Sequence, residues 1–188
     1  MIGAVIIATD SASGGNGNGH GGGKQLALIS PTYVLESAIK PFLKVSLKPV
    51  ILVLGKDYHR ILNVLKTPRE VKVVIHRRPE RGFPSAVSVG LQSLPSEIEG
   101  AVIARGDHVL ESRTLEKLIR YFEEESAKSR GGRKIVVPLY HGKRGFPWVI
   151  ATSLKKEISR FEEDLTLGSF LKAYKKEVLT VPVEGLET

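Results

Sequence analysis

Five runs of apolar residues, separated by stretches of helical periodicity, constrain this chain more than any other feature. They are GAVIIA (Gly3–Ala8), PVILVLG (Pro49–Gly55), VKVVIH (Val71–His76), GAVIARG (Gly100–Gly106) and KIVVPLY (Lys134–Tyr140). Most are continuous Val/Ile runs without polar alternation, the pattern of strands covered on both faces. Between them lie PTYVLESAIKPFLK, YHRILNVLK, PSAVSVGLQSL and ESRTLEKLIRYFEEESAK, whose apolar residues recur at helical spacing. In the last of these Leu115, Leu118, Ile119 and Phe122 share one face. Glu111 or Ser112 can begin that helix and Lys128 can close it. Alternation of this kind specifies an α/β sandwich with a mostly parallel sheet. Towards the C-terminus the rhythm breaks. FPWVIATS and EVLTVPVE read as further strands around the helical stretch SLKKEISRFEEDLTLGSFLKAY, which predicts a mixed sheet with one antiparallel member.

No internal repeat or domain boundary interrupts this order, so residues 1–188 are expected to form a single domain. The chain has no cysteine, which excludes disulfides, thiolate chemistry and cysteine zinc sites. No apolar run reaches the length of a membrane span, and the glycine-rich segment follows MIGAVIIA too soon for a signal peptide. A cytoplasmic protein without a membrane partner is expected. The net charge of +8 attracts anions. The basic residues are scattered among acidic blocks such as FEEE (Phe122–Glu125), with no stripe for nucleic acid. Small phosphorylated ligands fit this charge.

Open α/β sheets bind ligands outside the carboxyl ends of their parallel strands. The places to inspect are therefore Thr9–Gln25, Lys56–Asp57, Arg77–Ser85 and Gly106–His108. The first reads TDSASGGNGNGHGGGKQ, with seven of the nineteen glycines between Gly14 and Gly23. A Walker A loop is excluded, because Asn18 stands where its first glycine belongs and Gln25 follows Lys24. G-x-G-x-x-G occurs at Gly17, Gly19 and Gly22, but eight residues separate it from Ala8, whereas a dinucleotide fingerprint follows its strand directly. A glycine-rich connection and a phosphate cradle remain. Position at a strand end and closure by Lys24 favour the cradle, in which bare backbone lets N–H groups converge on an anion.

Asp107, ending a buried strand, reads as a Mg²⁺ ligand or as a turn aspartate. It lies too far ahead of the next helix to cap it. In RPERGFPSAVSVGLQSL (Arg78–Leu94), Gly82 and Pro84 predict a turn and Ser85 a helix cap facing the ligand edge. In YHGKRGFPWVI (Tyr140–Ile150), Gly142 and Gly145 allow a tight connection carrying exposed Lys143 and Arg144. His20, His59, His76, His108 and His141 show no metal-ligand spacing. FEED (Phe161–Asp164) reads as a solvated helix end.

Taken in order, these features resemble the MobA/MocA-like nucleotidyltransferases, which attach a nucleotide to molybdopterin. That family opens with a strand and A-G-x-S-x-R-M-G-x-x-K, then carries G-[ML]-x-x-S-[LV]-x-x-G-L, a strand ending in D-Q-P, and P-x-Y-x-G-x-R-G-H-P. Here Gly21 and Lys24 match G-x-x-K, GFPSAVSVGL (Gly82–Leu91) the second segment, GDHV (Gly106–Val109) the third and PLYHGKRGFP (Pro138–Pro147) the fourth. The second and fourth matches point to the cytidylyltransferase branch.

The resemblance implies a three-layer Rossmann-like nucleotidyltransferase fold, of the nucleotide-diphospho-sugar transferase type, and a Mg²⁺-dependent transfer of NMP from CTP or GTP, CTP favoured, to the phosphate of molybdopterin. Pyrophosphate leaves, and a molybdoenzyme or its chaperone is the implied partner. Lys24 and Asp107 are the implied catalytic residues, Asp107 as metal ligand. Ala8, Gly19, His20, Gly21, Gly22 and Gly23 are implied to hold the triphosphate, and Arg81, Gly82 and Ser85 to line the base and ribose pocket. Lys143 and Arg144 would meet the anionic acceptor.

The chain departs from the family in several places. The loop arginine falls on Gly19, with His20 and Arg81 the candidate replacements. ATD (Ala8–Asp10) replaces A-A-G, Val109 replaces proline, and VPVEGLET lacks the family's acidic ending, for which Asp164 is a poor stand-in. Two alternatives follow from the same resemblance: an NTP-binding accessory protein of this fold without turnover, or a transferase acting on a sugar phosphate or cobinamide phosphate.

Overall fold

The computed structural model describes residues 1–9, 28–29, 32–66, 68–128, 132–160 and 167–184. Its strands are β1 (Ile2–Ala8), β2 (Leu28–Ile29), β3 (Thr32–Tyr33), β4 (Val50–Leu54), β5 (Val71–Ile75), β6 (Gly100–Arg105), β7 (Ile135–Tyr140), β8 (Lys143–Arg144), β9 (Trp148–Ala151) and β10 (Val178–Pro182). Its helices are α1 (Val34–Lys44), α2 (Tyr58–Val64), α3 (Gly82–Gln92), α4 (Ser112–Lys128), α5 (Lys155–Arg160) and α6 (Leu167–Ala173). The main sheet runs β10-β7-β9-β6-β1-β4-β5, with β8 beside β7, while β2 and β3 form a separate antiparallel pair.

Four adjacent strands, β6, β1, β4 and β5, are parallel. β9 runs antiparallel between β6 and β7. The residues joining β7 to β9 are too few for a parallel crossover, so the chain turns back. It does so through the two-residue turn His141–Gly142, both with positive φ (46° and 81°), the geometry that matches hairpin twist. Lys143 and Arg144 project from this hairpin, exposed as expected.

Successive residues of a strand face opposite sides of a sheet, and both sides are covered here. Ala4, Ile6, Leu52 and Leu54 pack with Leu35, Ile39 and Phe42 of α1, Ile61 of α2, and Leu115, Leu118 and Phe122 of α4. Val5, Ile7, Ile51 and Val53 pack with Ala86, Val87 and Leu91 of α3, Ile158 of α5, and Phe170 and Leu171 of α6. Each fully buried Val, Leu or Ile contributes about 1.5–3 kcal/mol, which is why β1 tolerates no polar residue from Gly3 to Ala8. The result is the expected three-layer Rossmann-like arrangement.

One local expectation is corrected. Ser85 is not a cap: α3 starts at Gly82, directly after a 3₁₀ turn at Pro79–Arg81, and no side chain caps it. Pro79 fixes the φ of the first residue of that turn, and Gly82, at φ 76°, ends it and redirects the chain into a helix that begins three residues before the serine. The expected FEED helix end and Asp164 lie outside the described residues.

Candidate active site

The chain moves from β1 to β4 and β5 in one direction across the sheet, and from β6 to β7 and β10 in the other. β1 and β6 are therefore neighbours at the point where strand order reverses, and ligands of open α/β sheets sit outside the carboxyl ends at such a point. Two of the four places singled out in the sequence meet there. The Gly106 N–H donates to Ile7 O at 2.8 Å, fastening the tail of β6 to the end of β1. A Cβ on Gly106 would fall 2.9 Å from Ala8 Cβ and 3.0 Å from Leu35 Cδ1. Only glycine permits that approach, which brings Asp107 beside the end of β1, where Thr9 leads into the glycine-rich segment.

Asp107 is held by its own strand. Arg105 precedes it by two residues, the strand period that puts two side chains on one face. Arg105 Nε donates to Asp107 Oδ1 at 3.0 Å and its Nη2 to Oδ2 at 2.8 Å, a bidentate pair. Burial pushes the Asp107 carboxyl up, but the Arg105 hydrogen bonds and charge, helped by His108, leave it below the usual aspartate range. His108 Nε2 lies 3.9 Å from Asp107 Oδ1. Burial lowers the His108 pKa against the pull of Asp107, so the imidazole is neutral at pH 7. A carboxylate offers about four lone-pair sites, so the guanidinium leaves part of this one available.

The same guanidinium links Asp107 to α3. Arg105 Cζ lies 5.9 Å from the Phe83 ring centroid, within cation–π range. Phe83 meets Phe146 edge-on at 5.6 Å, and Phe146 stacks on Trp148 at 5.0 Å. Trp148 Nε1–H donates to Gly145 O at 2.8 Å, and Tyr140 O–H to Phe146 O at 3.0 Å. An apolar wall thus stands beside the guanidinium that holds the carboxylate.

At the β5 end, Gly82 has φ 76° and ψ −173°, backbone that is essentially confined to glycine. It turns the chain into α3, placing Arg81, Gly82 and Ser85 at the carboxyl edge. Ser85 Oγ lies 3.0 Å from His76 Nε2. His76 is 2% exposed, and burial lowers its pKa, opposed by Glu80 and reinforced by Arg81. Lys56 Nζ and Glu80 carboxylate approach to 3.6 Å across the strand ends, both exposed.

The structure therefore gathers Ala8, Asp107, Arg81, Gly82 and Ser85 along one edge. Gly19, His20, Gly21, Gly22, Gly23 and Lys24 lie outside the described residues. Sequence reading missed Arg105, His76 and the aromatic wall. The two-residue spacing of Arg105 and Asp107 was the signal available for the first. His76 was visible only as the last residue of an apolar run at that edge.

A divalent cation is expected at this edge, and the donor set fits one in kind. Mg²⁺ takes one or two carboxylates and completes its shell with waters and phosphate oxygens. Asp107 supplies one such carboxylate, partly free. Among the described residues no group of three or more acidic or histidine side chains forms a closed metal cage. A separate cleft of about 680 Å³, lined by Met1, Lys48, Arg113, Lys117 and Arg120, reaches the amino end of β1 and takes no part in this edge. Among the described residues no helix is long and apolar enough to cross a membrane.

The fold is similar to that of Rv0371c from Mycobacterium tuberculosis H37Rv, with 22% identity and a TM-score of 0.81 over 98% of this chain and 89% of that one. A structure of Rv0371c in complex with manganese gives 19% identity and a TM-score of 0.79 over the same shares. A nucleotidyl transferase from Methanothermobacter thermautotroptrophicus, Mth528, is similar at 17% identity and a TM-score of 0.76, over 98% and 88% of the two chains. No curated protein matches the sequence. The model of the MobA-like NTP transferase domain matches residues 12–178, and the chain belongs to that family of nucleotidyltransferases.

Proposed function

We propose that the protein is a divalent-metal-dependent nucleotidyltransferase that transfers NMP, CMP in preference to GMP, to the phosphate of molybdopterin. The observation that carries the reading is the placement of Asp107 at the β1–β6 switch point, where the glycine-rich segment begins. The preference for CMP and for molybdopterin rests on GFPSAVSVGL and PLYHGKRGFP, whose residues flank the same edge.

In the proposed reaction an oxygen of the acceptor phosphate attacks the α-phosphorus of the NTP. The bond from that phosphorus to the β-phosphate bridging oxygen breaks, and pyrophosphate leaves with its electron pair. Such chemistry asks the protein for positioning and charge neutralisation. Lys24 and the N–H groups of Gly19, His20, Gly21, Gly22 and Gly23 hold the triphosphate, beside Ala8. Asp107 would hold Mg²⁺, whose part is to neutralise charge on the phosphate oxygens. Arg105 fixes the carboxylate through two hydrogen bonds, so the ligand does not reorient. Arg81, Gly82 and Ser85 line the nucleoside side, and Lys143 and Arg144 attract the acceptor. The protein acts as a soluble cytoplasmic enzyme, with a molybdoenzyme or its chaperone receiving the product.

The test is pyrophosphate release from each NTP with Mg²⁺ and molybdopterin. Release with CTP, lost in Asp107→Ala, is the expected result. No release with any nucleotide refutes the reading. A second reading, transfer to another phosphorylated acceptor such as a sugar phosphate or cobinamide phosphate, has its own support. The fold is similar to that of 4-diphosphocytidyl-2C-methyl-D-erythritol synthase from Anaerococcus prevotii, at 16% identity and a TM-score of 0.68 over 97% and 87% of the two chains. Labelled CTP and GTP offered with each acceptor separate the two. Saturable NTP binding without turnover on any acceptor would instead identify an accessory protein.

A further inference from the structure

His76 has no part in the reaction as written, yet its surroundings are unusual for a structural histidine. Its backbone N–H donates to Leu54 O at 2.8 Å, which carries β5 one residue further to the carboxyl edge. The residue is 2% exposed. Nε2 lies 3.0 Å from Ser85 Oγ, and among the described residues Nδ1 has no hydrogen-bond partner. Among the described residues the ring therefore has one hydrogen-bonding contact, with the first turn of α3.

The neutral ring carries one proton, and the unpartnered nitrogen decides where it sits. Orphaned buried N–H groups are rarer in folded proteins than under-used acceptors. On this ground the proton is assigned to Nε2, which makes Nε2–H the donor to Ser85 Oγ. The Ser85 hydroxyl, having accepted one bond from within the protein, retains its own O–H to donate. It does so from the first turn of an eleven-residue helix whose N–H groups open onto the ligand edge.

We propose that His76 is a positioning residue. It fixes the Ser85 hydroxyl as a hydrogen-bond donor toward an unprotonated oxygen of the bound nucleotide, either a phosphoryl oxygen or the carbonyl of the base. The proposal rests on the nucleotide reading of this edge and adds the direction of the Ser85 hydrogen bond and the residue that sets it.

The experiment is calorimetric binding of CTP and of inorganic tripolyphosphate to the whole protein and to Ser85→Ala, His76→Phe, His76→Gln and the Ser85→Ala/His76→Phe double variant. Losing one hydrogen bond weakens binding roughly five- to tenfold. Ser85→Ala and His76→Phe should each weaken CTP by that factor, and the double variant by no more than either single one. His76→Gln, which keeps an N–H near the Nε2 position, should bind within about twofold of the parent. A loss shared by tripolyphosphate identifies the acceptor as a phosphoryl oxygen; a loss confined to CTP identifies it as the base carbonyl. Ser85→Ala keeps the test valid if His76→Phe unfolds, since CTP binding unchanged in Ser85→Ala overturns the proposal alone. Losses that multiply in the double variant also overturn it, because they show independent roles. A parent protein that binds neither probe overturns both the proposal and the nucleotide reading beneath it.

Discussion

Gly90 fixes how closely α3 lies on the sheet, and replacing it by alanine should displace the helix that presents Gly82 and Ser85. A Cβ at this position would stand 2.2 Å from Val5 Cγ1 and 3.1 Å from Val53 Cγ2. Val5 and Val53 are fully buried on adjacent strands, so neither can turn away without disturbing the core. Overpacking of this kind costs about 1–3 kcal/mol. Alanine recovers roughly 0.5–1 kcal/mol through its better helix propensity. A clash as short as 2.2 Å belongs in the upper half of the overpacking range, about 2–3 kcal/mol, so the net expectation is a loss of about 1–2.5 kcal/mol. For a chain of this length a kilocalorie shifts the melting temperature by roughly 2–4 °C, so thermal unfolding followed by circular dichroism should show a fall of about 2–10 °C. Adding Val5→Ala removes the clashing methyl, and the double variant should be more stable than the sum of the two single losses by at least about 0.5 kcal/mol. An unchanged or raised melting temperature in Gly90→Ala would refute the packing argument.

Gly82→Ala meets no crowding, since the nearest atom to its Cβ is Pro84 Cδ at 3.9 Å, but it strains the backbone. A cost of about 1–3 kcal/mol is expected, read as a lower denaturant midpoint, together with weaker CTP binding. Arg105→Met should leave stability within about 1 kcal/mol of the parent, because the pair it breaks is partly exposed. It should also raise the Asp107 carboxyl, since burial then loses its main opposition and only His108 and a backbone hydrogen bond still act against it. A carboxyl-carbon NMR titration reads this directly, and no upward shift would disprove the account of the pair. In the parent the folded pKa of Asp107 lies below the unfolded one, so its contribution to stability is present above the unfolded value and lost as pH falls through the folded value. Acid unfolding of Arg105→Met should lose that segment of its pH dependence.

The strands were legible because Val and Ile run through them unbroken, as in Ala4–Ile7, which the core requires on both faces at once. That a late strand runs antiparallel was legible in the broken rhythm of the C-terminal part; that it is β9 follows only from its place beside β7, too few residues away for a parallel crossover. Asp107 stood out because it ends such a run. Its partner Arg105 did not, because a cation inside an apolar strand carries no sign of whether it points to solvent or to a carboxylate two residues on. His76 and Ser85 meet only once the 3₁₀ turn and Gly82 have folded α3 back against the end of β5, geometry no spacing rule encodes. Phe83 and Phe146 come from α3 and from the approach to β9, so their contact waits on the order of strands in the sheet. The Ser85 cap was misread on purely local grounds, since Gly82, not the serine, turns the chain from the Pro79–Arg81 turn into the helix.

The central claim is that this edge of the sheet holds a nucleotide and a divalent cation at the junction of β1 and β6. Anomalous diffraction from crystals grown with CTP and manganese tests it most directly. The account predicts a manganese peak at coordination distance from the Asp107 carboxylate, with the triphosphate between it and the end of β1 and the nucleoside against the first turn of α3. A nucleotide bound in the cleft beside Arg113 and Lys117, or manganese away from Asp107, would contradict it.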